Sequence, residues 1–115
     1  MGNNKELGAE GEQIATDYLE KTGYQILERN YRYKRAEVDI IAKKEAMLLF
    51  VEVKYRANES FGFPEEFVRG RKIELIHMAS EHYVEKINWK DNIRFDIISI
   101  MKKTIPEVIH LEDAF

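Results

Sequence analysis

The sequence predicts a mixed α/β fold in which one central β-sheet is flanked by helices. Two stretches carry apolar residues at helical spacing, and five shorter stretches have the pattern of strands. The second helical stretch separates the third strand from the fourth, and strands joined through a helix usually run parallel. We therefore expect at least one parallel strand pair in a mixed sheet. A chain of 115 residues is suited to a single domain, which we place at residues 1–115.

The first predicted helix covers residues 6–22, and Gly23 ends it. Apolar or small residues recur there at helical spacing: Leu7, Gly11, Ile14, Ala15, Tyr18 and Leu19. An extended segment, a strand, a turn and a longer strand are predicted next, at residues 24–33, 37–42, 43–46 and 47–56.

The strand over residues 47–56 is predicted to be central, because both of its faces are apolar for most of its length. One face carries Leu49, Val51 and Val53, and the other carries Leu48, Phe50, Glu52 and Lys54. The strand becomes polar only at its C-terminal end.

The second half of the chain predicts a helix followed by two strands. A loop over residues 58–64 precedes the helix, which begins at Pro64 or Arg69 and ends at Lys86. One helical stripe contains Val68, Lys72, Ile76, Ala79, Tyr83 and Ile87. A strand, a turn and a final short strand are predicted at residues 94–101, 102–107 and 108–111.

Two carboxylates and an amine occupy neighbouring predicted strands: Asp39, Glu52 and Lys54. A carboxylate rarely enters a buried strand unless it is paired or bound to metal, because its desolvation costs several kcal/mol. Neighbouring strands lie roughly 4.8 Å apart, so Asp39 and Glu52 can both reach one ion. Mg²⁺ needs only one or two carboxylates besides water and phosphate oxygens. The pattern is compatible with cleavage of a phosphodiester by a metal-activated water that Lys54 assists.

Structural interpretations of the same residues stay open at this point. Glu52 and Lys54 can form a surface salt bridge. Glu12 lies near the start of the first helix, where the helix dipole alone favours an acid. Glu37 is either a second ligand or a polar strand end.

The charge distribution points weakly in two directions. The net charge of −3 is unusual for a nucleic-acid-binding protein. However, residues 29–56 carry eight bases and four acids, a local balance of +4, as expected around an acidic nuclease centre. Solvated surface positions are the alternative for the basic residues that we predict to contact phosphate: Arg32, Lys34, Arg35 and Arg56.

Short segments over nearly the whole chain match the sequence pattern of one protein family, and they are specific for it only when they are taken together. They are Gly8-Ala9-Glu10-Gly11-Glu12 with Ala15 and Tyr18-Leu19, Gly23-Tyr24, Arg29-Asn30-Tyr31-Arg32, Glu37-Val38-Asp39-Ile40-Ile41-Ala42, Phe50-Val51-Glu52-Val53-Lys54-Tyr55-Arg56, Phe61-Gly62-Phe63-Pro64, Lys72, Arg94-Phe95-Asp96 and Ala114-Phe115. In these segments the chain resembles the YraN family of predicted endonucleases, which is similar to archaeal Holliday-junction resolvases.

The resemblance implies a restriction-endonuclease-like fold and a catalytic set of Glu12, Asp39, Glu52 and Lys54. Asp39, Glu52 and Glu12 would bind Mg²⁺ or Mn²⁺, and Lys72 joins the residues predicted to bind nucleic acid. Ala36 stands where the family usually has Gly, and Tyr55 where a smaller residue is usual, so Tyr55 is expected to narrow the groove.

The predicted function is metal-dependent hydrolysis of DNA, with branched DNA as a candidate substrate. Two alternatives remain at this point, a nucleic-acid-binding module without catalysis and a protein-interaction subunit. Because resolvase-like enzymes act on two-fold symmetric junctions, a homodimer is a reasonable expectation. The chain contains no cysteine and no long apolar stretch, and we expect a cytoplasmic protein without a membrane partner.

Overall fold

The structure is a computed structural model that describes residues 4–56 and 70–115. The predicted loop over residues 58–64 lies outside these ranges, as do both predicted starting points of the second helix, Pro64 and Arg69. The described elements are α1 (Asn4–Lys21), β1 (Gln25–Tyr33), β2 (Ala36–Lys44), β3 (Met47–Arg56), α2 (Gly70–Lys86), β4 (Asn92–Met101) and β5 (Glu107–Leu111). This order confirms the predicted fold class.

The β2–β3 hairpin is tighter than the sequence predicted. Lys43 and Lys44 were assigned to a turn of four residues, but they continue β2 and pair with Leu48 and Met47 of β3. Only two residues are left for the turn, and Glu45 takes a left-handed backbone conformation with a φ of 53°. Two-residue hairpin turns require such conformations because they match the twist of the paired strands.

The five strands form one sheet in the order β1-β2-β3-β4-β5. The β3–β4 pair is parallel and the other neighbouring pairs are antiparallel, so the sheet is mixed and β3 is central, as predicted. Leu48 and Phe50 of β3 pack beneath α2, whereas Leu49 and Val51 pack beneath α1. Burial of both faces explains why β3 is apolar for most of its length.

The side-chain alternation of β2 slips by one residue at Asp39. Val38 packs in the cluster beneath α2, but Ile40 packs in the cluster beneath α1. In a regular strand these two side chains would share a face. On β1, Asn30 lies opposite Asp39 between two registered pairs, and its φ of 53° marks a second irregularity at the same place.

The pairing of β2 with β3 also ends beside Asp39. The registered pairs stop at Ile40 and Val51, although β3 continues to Arg56. Beyond that point the N–H of Val53 donates to Asp39 Oδ2 at 2.7 Å, so a side chain replaces the backbone acceptor. The strands therefore separate at the residue that the sequence nominated for catalysis.

Within the part of the chain that the structure describes, neither helix is long and apolar enough to cross a membrane.

Candidate active site

A cleft of about 330 Å³ opens where β2 and β3 separate. It brings together all four residues that were predicted to be catalytic, Glu12, Asp39, Glu52 and Lys54. The other described lining residues are Gly8, Val53, Tyr55 and Lys72. These residues come from α1, β2, β3 and α2, so the cleft exists only in the folded chain.

Asp39 and Glu52 form a coupled pair of carboxyl groups. Burial, a hydrogen bond with Glu52 and the negative charge of Glu52 raise the pKa of Asp39 to about 9, despite the opposing N–H of Val53. Burial alone would raise the pKa of Glu52, but the hydrogen bond with Asp39 and nearby lysines hold it below its ordinary value. At neutral pH the proton therefore stays on Asp39, and Glu52 carries the charge.

Two lysines neutralise Glu52, whose side chain is only 4% exposed. Lys72 Nζ forms a close ion pair with Glu52 Oε2, and Lys54 Nζ lies 3.9 Å from the same oxygen. Burial lowers the pKa of Lys54, and the charge of Lys72 lowers it further against the attraction of Glu52. Burial alone would lower the pKa of Lys72, but the contact with Glu52 raises it. The simple salt bridge between Glu52 and Lys54 is thus part of a larger cluster.

A close approach of α1 to β3 brings Glu12 to the cleft. Gly11 packs so tightly against Tyr55 that a Cβ on the glycine would lie 2.9 Å from Tyr55 Cβ. The neighbouring Glu12 accepts a hydrogen bond of 2.9 Å from Asn30 Nδ2, and its charge contributes to the raised pKa of Asp39. Glu12 is therefore near the pair, with a polar partner of its own.

The donor set fits a divalent cation held by two carboxylates. The carboxyl groups of Asp39 and Glu52 contact each other in the cleft, where a divalent cation would neutralise both, and Lys72 is the cation beside them now. No group of three or more His, Asp or Glu side chains within residues 4–56 and 70–115 is arranged to hold a metal ion. Asp39 and Glu52 are thus the first candidates for ligands, and direct ligation by Glu12 stays a prediction.

The predicted nucleic-acid-binding residues lie in different places. Lys72 lies inside the cleft against Glu52, a position that its sequence neighbours did not indicate. Lys34 and Arg35 are exposed in the β1–β2 turn, and half-buried Arg56 ends β3. Arg32 pairs with Glu37 at 3.0 Å on the surface, which favours the strand-end interpretation of Glu37 over a role as ligand.

A buried polar network beneath α1 was missed by the sequence analysis. Asp96 of β4 is fully buried and forms two hydrogen bonds with Arg94, of 2.9 and 2.8 Å. His110 Nε2 lies 2.6 Å from Asp96, and His110 Nδ1 lies 2.9 Å from the hydroxyl of Tyr18. Burial would raise the pKa of Asp96, but His110, Arg94 and the N–H of Asp113 hold it below its ordinary value. The only sequence signal was an acid inside an apolar strand.

Comparison with known proteins identifies the family. The profile described as "Uncharacterised protein family UPF0102" matches residues 11–100. The chain belongs to the UPF0102 family. The UPF0102 protein of Flavobacterium johnsoniae is 48% identical over 120 residues, covering 100% of this chain and 98% of the relative. The UPF0102 protein of Christiangramia forsetii is 46% identical over 116 residues, covering 100% and 98%.

A UPF0102 protein of Clostridioides difficile is 45% identical over 116 residues, covering 98% of this chain and 99% of the relative. Membership of UPF0102 therefore extends over the chain, including the cleft residues. The names of these relatives state no activity, so nuclease activity stays a prediction.

Proposed function

We propose that this UPF0102 protein is a metal-dependent endonuclease that hydrolyses phosphodiester bonds in DNA, with branched DNA as a candidate substrate. The observation that carries the proposal is the cleft that brings Asp39 and Glu52 together beside two lysines. Buried carboxyl groups whose pKa values are driven apart in this way concentrate at functional sites. The resemblance to predicted endonucleases supports the same reaction.

Asp39 and Glu52 would hold Mg²⁺ or Mn²⁺, which would stabilise charge on the scissile phosphate and acidify a water. Lys54 lies beside the same carboxylate, and its lowered pKa suits a group that orients the attacking water. The amine of Lys72 contacts Glu52, but the Lys72 side chain is 45% exposed. It can therefore also donate to a phosphate oxygen that enters the cleft. Glu12, held by Asn30, would complete the acidic wall.

Cleavage assays with matched variants test this proposal. Wild-type protein is incubated with branched, flapped, single-stranded and duplex DNA in Mg²⁺, Mn²⁺ or EDTA. We expect metal-dependent cleavage that Asp39→Asn and Glu52→Gln reduce by at least about a hundredfold, because each removes a ligand charge. Glu45→Gln is the control, since Glu45 is exposed in the β2–β3 turn at the other end of the strands.

Cleavage that persists unchanged in Asp39→Asn would show that a contaminating nuclease or another site is responsible. Absence of cleavage on every substrate with both metals would overturn the proposal. Metal titration calorimetry on the wild type and Glu52→Gln then separates the alternative of a non-catalytic binding module, which has no need of the ion.

A further inference from the structure

A second groove lies between the β1–β2 turn and the beginning of α2. Its volume is about 220 Å³, and its described lining residues are Lys34, Arg35, Arg71, Leu75 and Met78. We call it the basic groove. It combines three cationic side chains with an apolar floor, which half-buried Leu75 and 38%-exposed Met78 provide.

The first turn of α2 contributes a residue to the basic groove and a residue to the cleft. Lys72 lines the cleft and Arg71 lines the basic groove, and consecutive Cα atoms are about 3.8 Å apart. Arg35 directly precedes β2, and Asp39 lies four positions further along the chain, at a distance of roughly 13 Å. The basic groove and the cleft are therefore close enough for one nucleic-acid strand to contact both.

The charge of the basic groove suits a phosphate backbone. Lys34 and Arg35 are exposed, and among the described residues Arg71 pairs with Glu74 at 3.4 Å, with both side chains about 70% exposed. Such an exposed pair is weak and can exchange for a phosphate contact.

The apolar floor of the basic groove indicates a ligand that has an apolar part in addition to a phosphate. Duplex backbone is bound through cations and polar groups, whereas an unpaired base stacks on aromatic side chains or arginine planes and can also be held between apolar side chains. The basic groove offers Leu75 and Met78 for such a surface and two guanidinium groups at its walls. Its volume is smaller than a pocket for a drug-sized ligand, and it therefore suits one base.

We propose that the basic groove binds an unpaired nucleotide of the strand whose phosphodiester lies in the cleft. The protein would thus select nucleic acid that has unpaired nucleotides next to the cleaved bond over a fully paired duplex. This inference rests on the proposed function, because it names the substrate class of the same active site.

Fluorescence anisotropy in EDTA tests the proposal without cleavage. The probes are a blunt duplex, the same duplex with a single-stranded thymidine extension, and that extension with abasic sites in place of the bases. We expect the extended probe to bind at least about fivefold more tightly than the blunt or the abasic probe, because only the extended probe has an unpaired base for Leu75, Met78 and the arginines to hold.

Two matched pairs of variants identify the groove. Met78→Ser is compared with Ile87→Ser, because both side chains are 38% exposed on or next to α2. Lys34→Ala is compared with Lys90→Ala, because Lys90 is exposed before β4 at the other end of the sheet. Met78→Ser should abolish the preference for the extended probe over the abasic one, and Lys34→Ala should weaken all probes. Both controls should match the wild type.

Equal binding of the extended and abasic probes would overturn the inference, as would a Met78→Ser variant that behaves like Ile87→Ser. If the protein cleaves DNA but gives either of these binding results, only the inference about the basic groove is wrong. If the protein prefers the extended probe and this preference depends on Met78, but it never cleaves DNA, only the proposed nuclease function is wrong.

Discussion

Asp39→Asn should stabilise the protein, and the gain should grow with pH. Asparagine has the shape of the protonated carboxyl group, and its amide can still accept from the N–H of Val53 and donate to Glu52. In the unfolded chain Asp39 ionises near its ordinary pKa of 3.8, whereas in the folded protein its pKa is about 9. The folded state therefore keeps a proton that the unfolded state releases.

The sign and the size of this pH-dependent gain in stability follow from proton linkage. The stability contributed by Asp39 is complete below the unfolded pKa and is lost as pH rises from 3.8 towards about 9. Each pH unit inside this window costs at most about 1.4 kcal/mol, so about 4 kcal/mol is the upper limit between pH 5 and pH 8. Because the cleft is open to solvent, we expect an increase of about 2 kcal/mol in the advantage of Asp39→Asn.

Urea unfolding in EDTA at pH 5, 6.5 and 8 measures this difference, with Glu45→Gln as a control that should track the wild type. If the difference in free energy of unfolding between wild type and Asp39→Asn stayed constant from pH 5 to pH 8, the raised pKa of Asp39 would be refuted. Adding Mg²⁺ at pH 8 should stabilise the wild type but leave Asp39→Asn unchanged, because a ligand that binds only the folded state raises stability.

Two further predictions concern the support of the cleft. Asp96→Ala should lower the free energy of unfolding by about 3 kcal/mol, because it leaves half-buried Arg94 without its main partner. A loss below about 1 kcal/mol in urea unfolding would show that the network is dispensable. Gly11→Ala should destabilise by about 1–3 kcal/mol, because the new Cβ meets Tyr55 Cβ at 2.9 Å. Gly8→Ala, on the same helix, is the matched control. It should be neutral or stabilising, because a Cβ at Gly8 would meet nothing within 4 Å. Equal stability changes in the two variants would contradict the close packing of α1 on β3.

Much of the fold and part of the candidate site could be predicted from local patterns. The two apolar faces of β3 indicated its central position, and the intervening helix indicated the parallel β3–β4 pair. Alternation along β3 also put Glu52 and Lys54 on one face, where both line the cleft. These features depend on residues that are close in the sequence, so their periodicity is visible there.

Long-range contacts were not visible in the same way. The resemblance predicts that Lys72 binds nucleic acid, and no local pattern indicates that the packing of α2 brings it onto Glu52, twenty residues earlier in the chain. The slip at Asp39 follows from irregularities in two strands, and no alternation pattern in one strand reveals it. The partnership of Asp96 with His110 and Tyr18 joins three separate elements.

The sequence by itself determined which chemical groups are available, on which strands they lie and which family the chain resembles. Only the tertiary structure decided that Asp39 and Glu52 lie close enough for Glu52 to raise the pKa of Asp39, and that Lys72 supplies the nearest positive charge. The physical reason is that a pKa and an ion pair depend on burial and on distances between segments, and those are set when helices and strands pack.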